Sequence, residues 1–189
     1  MDSDFSLMPL SGPIPAKLYL MLGQHAVTEK MLQLIATLGL KGRLTILDCG
    51  NRSNMYAVAK LIRPYTNDPV GVLNHIRLSR AFTCIQVLAM LESVVVNAPQ
   101  EPLIVLDLLA TFLDEDVALE DAQRLLTRSI ACLHQLSLSA PVVISGRPLP
   151  PIANTRQVLL DQLAKNVDRV WEEPLALPAG YGLQLALFG

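Results

Sequence analysis

Hydrophobic residues recur along this chain in two alternating patterns. Short, nearly continuous apolar runs at residues 44–48, 103–107 and 142–145 are typical of strands that are buried on both faces of a parallel sheet. A longer run at 119–136 has apolar residues three or four positions apart, which is typical of an amphipathic helix. Strands that alternate with helices favour an α/β fold with a central, mostly parallel sheet flanked by helices.

Turn and capping residues set the expected bounds of the other elements. Thr28 is expected to cap the first helix and Gly39 to end it. Residues 66–69 are expected to form a turn, because Asn, Asp and Pro favour turns. Residues 169–171 and 183–188 are expected to close the sheet as antiparallel edge strands. The remaining expected elements are strands at 17–22 and 76–79 and helices at 28–38, 54–62, 82–96 and 158–164.

Composition limits the classes of function. The chain has 189 residues, of which 51% are hydrophobic and 17% charged, and its net charge of −2 gives no chain-wide basic signal for nucleic acid. One domain is expected over residues 1–189, with residues 1–14 as an N-terminal extension. The apolar runs are shorter than the roughly 18–20 residues of a membrane span, so no membrane association is expected.

The cysteines, the histidines and the N-terminus carry no strong signal of their own. The three cysteines lie in apolar segments and are interpreted as reduced core thiols of a cytoplasmic protein. The acidic start, MDSD, is unlike a secretory signal. The three histidines are far apart and have no cysteine companions, so no metal site is predicted, and no cofactor is expected.

Two segments are the most specific in the chain. Residues 72–83 have the sequence VLNHIRLSRAFT, and residues 103–112 have the sequence LIVLDLLATF. The first resembles the VLENI-x-x-ARAF segment of RecA-type recombinases, in their archaeal and eukaryotic RadA-like branch, and the second resembles the Walker B strand of that family. Residues 46–48 and 141–146 resemble two further strands. The resemblance covers residues 12–189 and implies a RecA-like, P-loop NTPase type of α/β fold.

The loop after the first predicted strand departs from that family. A phosphate-binding loop has a glycine, four residues, and then Gly-Lys-Ser/Thr. If Gly23 is the first glycine, Thr28 stands at the second glycine, Glu29 at the lysine and Lys30 at the hydroxyl residue. Glu29 directs a carboxylate to a place where a cation is needed. A shifted register does not restore the site, because one residue along a helix rotates the side chain of Lys30 by about 100°.

Other parts of the ATPase site depart as well. The resemblance places Asp107 at the Walker B aspartate, but Leu108 replaces the following serine and Gly50 stands at the catalytic glutamate. Where that family has its sensor Asn-Gln pair, this chain has Ser145-Gly146-Arg147. Asp107 is either a residual Mg²⁺ ligand or a polar residue at the end of a strand that hydrogen-bonds the altered loop. The sequence predicts a pseudo-ATPase with no catalytic residues and with Gly23, Lys30 and Asp107 as residual positions of the site.

Two loops correspond to the DNA-binding loops of the family. The first, residues 114–121, carries five carboxylates, which repel phosphate or stabilise the start of the next helix. The second contains Arg147 and Arg156, which are the DNA-binding candidates, with a solvated surface loop as the other interpretation. Two phosphate contacts predict weak, salt-sensitive binding that is indifferent to sequence.

Two functions therefore remain open. The first is a non-catalytic RecA-fold subunit that assembles with a second copy or with a RecA-like partner in DNA recombination or repair. Residues 5–20, which include Phe5 and Leu7, are the expected docking segment, or else they cover their own core. The alternative is an unorthodox nucleotide-binding switch or a weak ATPase.

Overall fold

Six parallel strands form one central sheet in the computed structural model, which describes residues 15–97, 100–149 and 155–173. Their order across the sheet is β3-β2-β4-β5-β1-β6, and every pair of neighbours is parallel. The predicted α/β class with a parallel sheet is therefore confirmed. The strands are β1 (Leu18–Leu22), β2 (Leu44–Asp48), β3 (Ile76–Arg80), β4 (Leu103–Leu106), β5 (Val142–Gly146) and β6 (Arg169–Glu172).

Helices cover both faces of this sheet. The described residues form α1 (Thr28–Lys41), α2 (Met55–Ile62), α3 (Pro69–Asn74), α4 (Cys84–Asn97), α5 (Leu119–Ser137) and α6 (Gln157–Lys165). The chain crosses the sheet in one direction from β1 to β3 and in the other direction from β3 to β6. Because parallel crossovers are right-handed, α1 to α3 lie on one face and α4 to α6 on the other.

The core consequently has two halves separated by the sheet. Leu18 and Leu20 of β1 pack in the half that also contains α4, α5 and α6. Tyr19 and Met21 of the same strand pack in the half that contains α1 and α2. Alternate residues of one strand thus enter opposite halves. This is why the central strands are apolar at almost every position, as their sequences predicted.

The start of α1 differs from the prediction. Thr28 was expected to cap the helix with its side chain, but the residue before the helix is Val27, and Thr28 is the first helical residue. The hydroxyl of Thr28 donates a hydrogen bond to the backbone oxygen of His25. The expected cap is wrong because the chain enters α1 from a tight turn rather than from an extended segment.

The end of α1 also differs. The helix does not stop at Gly39 but continues to Lys41 and ends at Gly42, whose φ of 156° is readily adopted only by glycine. Gly39 is buried inside the helix instead. A Cβ at that position would lie 2.9 Å from Cδ1 of Ile76, so glycine is required for close packing rather than for termination.

The last described strand corrects the predicted sheet edge. β6 pairs with β1 in parallel, for example Leu20 with Val170, whereas an antiparallel edge was expected. The chain returns along α6 after β5, and a helical crossover places the next strand in the same direction. The second expected edge strand, residues 183–188, lies outside the described residues, as does the extension 1–14.

A short helix was missed between α2 and β3. The expected turn at 66–69 is followed at once by α3, because the side chain of Asp68 accepts a hydrogen bond from the backbone N–H of Gly71 at 2.8 Å. Pro69 then takes the first helical position, where its missing N–H has no cost. None of the helices in the described residues is long and apolar enough to cross a membrane.

Candidate functional site

The carboxyl ends of β2 and β4 form the strongest candidate site. Ligands of parallel α/β proteins bind outside the carboxyl ends of the strands, where neighbouring connections leave toward opposite faces of the sheet. β2 and β4 are neighbours, and their connections lead to α2 on one face and to α5 on the other. Asp48 ends β2 and Asp107 follows β4, so both carboxylates lie at this crevice.

Asp107 is held by two arginines. Its side chain is only 2% exposed, and Nε of Arg52 and Nε of Arg147 each lie 3.1 Å from its Oδ2. The backbone N–H of Asp107 donates to the hydroxyl of Ser145 at 3.0 Å. These contacts link the ends of β2, β4 and β5.

This arrangement does not fit a Mg²⁺ site. An oxygen of Asp107 that a metal ion would need already receives two guanidinium groups. Within the described ranges, no group of three or more His, Cys, Asp or Glu side chains could hold a metal ion. The other interpretation of Asp107 was a residue that hydrogen-bonds the altered loop after β1. Its polar contacts are with Arg52, Arg147 and Ser145 rather than with that loop.

Asp48 is a second buried carboxylate with its own partners. It accepts hydrogen bonds from the backbone N–H groups of Arg52 at 2.8 Å and Ser53 at 3.0 Å, and from the Ser53 hydroxyl at 2.5 Å. Nε of Arg80 lies 3.5 Å from its Oδ2. Burial alone raises the pKa of Asp48, but the hydrogen bonds from Ser53 and Arg52 and the charge of Arg80 outweigh burial and lower it.

Gly50 and Cys49 lie next to these two aspartates, which restrict the side chain at position 50 and affect the thiol of Cys49. A Cβ on Gly50 would lie 2.5 Å from Cβ and 2.6 Å from Oδ2 of Asp107, so only glycine fits beside that side chain. Burial, together with the charges of Asp48 and Asp107, raises the pKa of the Cys49 thiol. Cys49 is therefore a neutral buried thiol rather than a nucleophile.

A small crevice of about 270 Å³ opens beside this cluster. Asp107 has a φ of 52°, and this left-handed residue turns the chain into a 3₁₀ turn, Leu108–Thr111. The turn places Thr111 in the crevice wall, where its hydroxyl is buried and has no hydrogen-bond partner in the described structure. The lining residues are Asp48, Cys49, Gly50, Asn51, Arg80, Ala81, Phe82, Ala110, Thr111 and Asp114.

The loop after β1 has a strained backbone. A 3₁₀ turn, Gln24–Val27, joins β1 to α1, and its residues His25, Ala26 and Val27 have φ values of 53°, 56° and 54°. The left-handed conformation costs roughly 1–2 kcal/mol for each residue other than glycine. No glycine occupies this turn, in contrast to a glycine-rich phosphate loop.

The carboxylate of Glu173 covers the start of the same loop. Nζ of Lys30 lies 2.8 Å from Oε1 of Glu173, the residue that follows β6. A Cβ on Gly23 would lie 2.7 Å from Oε2 of Glu173, so this carboxylate rests directly on the glycine at which a phosphate cradle would begin. Glu29 lines the same cleft. Lys30 and Gly23 are thus brought together by Glu173, whereas the side chain of Asp107 pairs with Arg52 and Arg147.

The two DNA-binding candidates have separate roles. Arg147 pairs with Asp107, as described above. Arg156 donates to the backbone oxygens of Phe112 at 2.8 Å and Val117 at 2.5 Å, and so holds the acidic loop after β4 in place. These contacts do not bring the two arginines together.

Sequence reasoning missed Arg52 and Arg80 as members of the cluster. A usable signal existed for Arg52, which stands four residues after a predicted strand-end aspartate. The signal for Arg80 was its place directly after a predicted strand, 76–79. No protein-family model matches this chain, and no curated protein was found to be similar to it. The fold and the site therefore define only a class, an α/β protein with a buried aspartate–arginine cluster at the carboxyl edge of a parallel sheet.

Proposed function

We propose that this protein is a non-catalytic subunit with a RecA-like core, which acts in the cytoplasm by assembling with a second copy or with a RecA-like partner in DNA recombination or repair. The observation that carries the first half of this proposal is the state of Asp107. The negative charge of this carboxylate is already compensated by two guanidiniums, which occupy the oxygen that would hold Mg²⁺ against a nucleotide.

The loop after β1 supports the same conclusion. Phosphates need N–H groups and a cation. In this loop Glu173 lies against Gly23 and binds Lys30. Two carboxylates, Glu29 and Glu173, line the cleft, so a triphosphate would meet repulsion there.

Packing beside Asp107 also opposes a catalytic glutamate. Any side chain at position 50 would collide with Asp107, since even a Cβ would lie 2.5 Å from it. A glutamate at position 50, where the RecA-type family has its catalytic glutamate, therefore does not fit while the side chain of Asp107 is in its present position. Hydrolysis would require the whole aspartate–arginine cluster to rearrange.

The edge of the sheet supports assembly. β3 is the outermost strand on its side of the described sheet, so one of its edges pairs with no further strand among the described residues. Tyr56, Tyr65 and Val70, which precede β3, are each about two-thirds exposed or more. Exposed apolar side chains beside an open edge are typical of a docking surface.

The docking segment expected at 5–20 is only partly described. Residues 5–14 lie outside the described structure, while Leu18 and Leu20 are fully buried in the core of their own chain. A docking role for this segment therefore rests on residues before β1. The three cysteines are free thiols, two of them buried, which supports a reducing compartment.

The test has two measurements. A ligand at 100 times its Kd would add about 2.7 kcal/mol of stability and would therefore raise the melting temperature. In a thermal-shift titration with Mg-ATP we expect no such rise. A shift that Asp107→Ala abolishes would favour the alternative, a nucleotide-binding switch.

Assembly is measured by analytical ultracentrifugation. We expect self-association, or capture by a RecA-like partner, that Tyr65→Glu weakens. Leu138→Glu is the matched control, because Leu138 is equally exposed but follows α5 on the other face of the sheet. A protein that stays monomeric and ignores such a partner contradicts the proposal.

A further inference from the structure

Helix α4 is apolar on its exposed side as well as on its buried side. Ile85 is 66% exposed, Val96 is 84% exposed, and Ala89 between them is exposed as well. Glu92 is the only charged residue of the helix. A helix that is hydrophobic all round is normally buried, so water is an unfavourable environment for the outer side of α4. The side that the core already covers consists of Cys84, Val87, Leu88 and Leu91.

The neighbouring helix α5, on the same face of the sheet, has the polar outer side that is typical of contact with solvent. Its exposed residues include Glu120, Asp121, Arg124 and Arg128. α4 connects the outermost strand β3 to β4, and it packs against α5 with its buried side. The apolar outer side is therefore specific to α4 and is not shared by the whole helical layer.

The exposed side of α4 is complementary to a second copy of itself. Residues three, four and seven positions from Ala89 share one side of the helix with it. In an antiparallel pair with a two-fold axis at Ala89, residues that are equally far before and after it face each other. Ile85 then meets Ser93, and Phe82, shortly before the helix, meets Val96. The small side chain of Ala89 allows the two helices to approach closely.

Two polar side chains at the border of this surface also match. Gln86 stands three residues before Ala89 and Glu92 three residues after it, so each meets the other across the axis. Oε1 of Gln86 accepts a hydrogen bond from the backbone N–H of Phe82 at 2.8 Å, which leaves its NH₂ group to donate elsewhere. Oε1 of Glu92 pairs with Arg128, and its Oε2 can accept from that amide. The axis thus brings a donor to a carboxylate, rather than one carboxylate to another.

We propose that the exposed side of α4 docks on α4 of a second copy, antiparallel and about a two-fold axis at Ala89. This inference rests on the self-association in the proposed function and names the surface that produces it. The surface that includes Tyr65 lies on the other face of the sheet and stays available to a RecA-like partner. α4 is about 21 Å long, so one helix pair covers less than the roughly 800 Å² per partner of a standard interface. We therefore expect a weak dimer whose population rises with concentration.

Analytical ultracentrifugation of the full chain over a concentration series tests the proposal. Ala89→Glu is expected to weaken the dimer at least roughly tenfold, because two carboxylates would meet at the axis. The monomer should stay folded, since position 89 is exposed and Glu favours helices. Gln86→Glu keeps the acceptor for the N–H of Phe82 but faces Glu92 with a carboxylate, so we expect a dimer that is roughly three- to tenfold weaker. Adding Glu92→Gln exchanges the two partners and is expected to restore the dimer.

Val158→Glu is the matched control, since Val158 is an exposed apolar residue of α6 on the same face of the sheet. It is expected to leave the dimer unchanged, and thermal melts check that every variant is folded. A monomer at every concentration, a dimer that Ala89→Glu does not weaken, or equal weakening by the control would overturn the proposal. So would a combined Gln86→Glu/Glu92→Gln variant that dimerises no better than Gln86→Glu alone.

The outcomes also separate this inference from the proposed function. A dimer that Tyr65→Glu weakens but Ala89→Glu does not, or a monomer that captures a RecA-like partner, would overturn the α4 dimer and leave the proposed function standing. A dimer that Ala89→Glu dissociates, in a protein whose melting temperature Mg-ATP raises, would support the α4 dimer and count against the proposed function.

Discussion

The loop after β1 and the crevice between β2 and β4 both lie at the carboxyl edge of the sheet, but their electrostatics are opposite. In the loop, Glu173 covers Gly23 and binds the ammonium group of Lys30, so a carboxylate faces the solvent. In the crevice, the carboxylates of Asp48 and Asp107 are buried and hold guanidinium groups that face outward. The outward-facing guanidinium groups of this edge therefore lie at the ends of β2, β3 and β5 rather than after β1.

The two regions also differ in how much their contacts contribute to the stability of the fold. The crevice depends on buried carboxylates that need their partners, because an unpaired buried charge is costly. The loop depends on an ion pair that is about one-third exposed, which contributes little, and on backbone strain, which is unfavourable. Substitutions in the crevice should consequently cost much more stability than substitutions in the loop, and four predictions test this difference.

The largest effect is expected when Asp107 loses both guanidiniums. Arg52→Met combined with Arg147→Met leaves a nearly inaccessible carboxylate without a counter-charge, and we expect a loss of about 3–5 kcal/mol in the free energy of unfolding. Urea denaturation measures it, with Arg43→Met as the control. A loss below about 1 kcal/mol would mean that these pairs do not hold the crevice together.

The second prediction concerns Asp48 and pH. Asp48→Asn is expected to cost about 1.5–3 kcal/mol near neutral pH, because the charged hydrogen bonds to Ser53 and Arg52 are weakened. The folded-state pKa of Asp48 is lowered below its ordinary value of 3.8, so its carboxylate stabilises the fold above that pH. The contribution is lost as the pH falls through the folded-state pKa.

Denaturation of both proteins across this pH range provides the check. The stability difference between wild type and Asp48→Asn should be constant above the ordinary pKa and should shrink under more acidic conditions. A difference that grows as the pH falls would contradict the assigned direction of the shift.

Gly50→Ala is expected to cost about 1–3 kcal/mol, because the new methyl group collides with Asp107. A double-mutant cycle with Asp107→Gly isolates the collision, since the second change removes the side chain that is struck. The φ of 52° at position 107 suits glycine. Additive losses in the cycle would show that the cost comes from elsewhere.

The smallest effect is expected in the loop. Lys30→Met breaks the ion pair with Glu173, and because both side chains are about one-third exposed we expect a loss of 0–1 kcal/mol. Glu173→Gln should likewise change stability little and should not create Mg-ATP binding, because Glu29 still lines the cleft. Thermal melts with and without Mg-ATP measure both, and a loss as large as that for the Asp107 pairs would remove the contrast between the regions.

Local patterns predicted most of the fold. The apolar runs placed the buried strands at β2, β4 and β5 to within a residue, and the periodicity of α5 predicted that helix from Leu119 almost to its end. These signals are local because burial on both faces of a strand, or on one stripe of a helix, repeats with the period of the element itself. The corrections at Gly39 of α1 and at β6 fell where a neighbouring segment decides the geometry, whereas α3 begins at the local cap formed by Asp68.

The candidate site was predicted only in part. Asp107 was recognised as a residue at the end of a strand, but its partners Arg52 and Arg147 lie 55 and 40 positions away along the chain. No local pattern connects such residues, since the sheet order decides which strand ends are neighbours. The same reason explains why the sequence did not predict the hydrogen bonds from Arg156, a predicted DNA contact, to the backbone of the loop after β4.

By itself, then, the sequence determined an α/β chain with a buried parallel sheet and an altered loop after its first strand, because burial and turn chemistry are local properties. Only the tertiary structure decided that β6 is parallel, that Glu173 covers Gly23, and that three arginines share two buried aspartates. These contacts join residues far apart in the chain. Their energies depend on burial and charge that arise only when the strand ends come together.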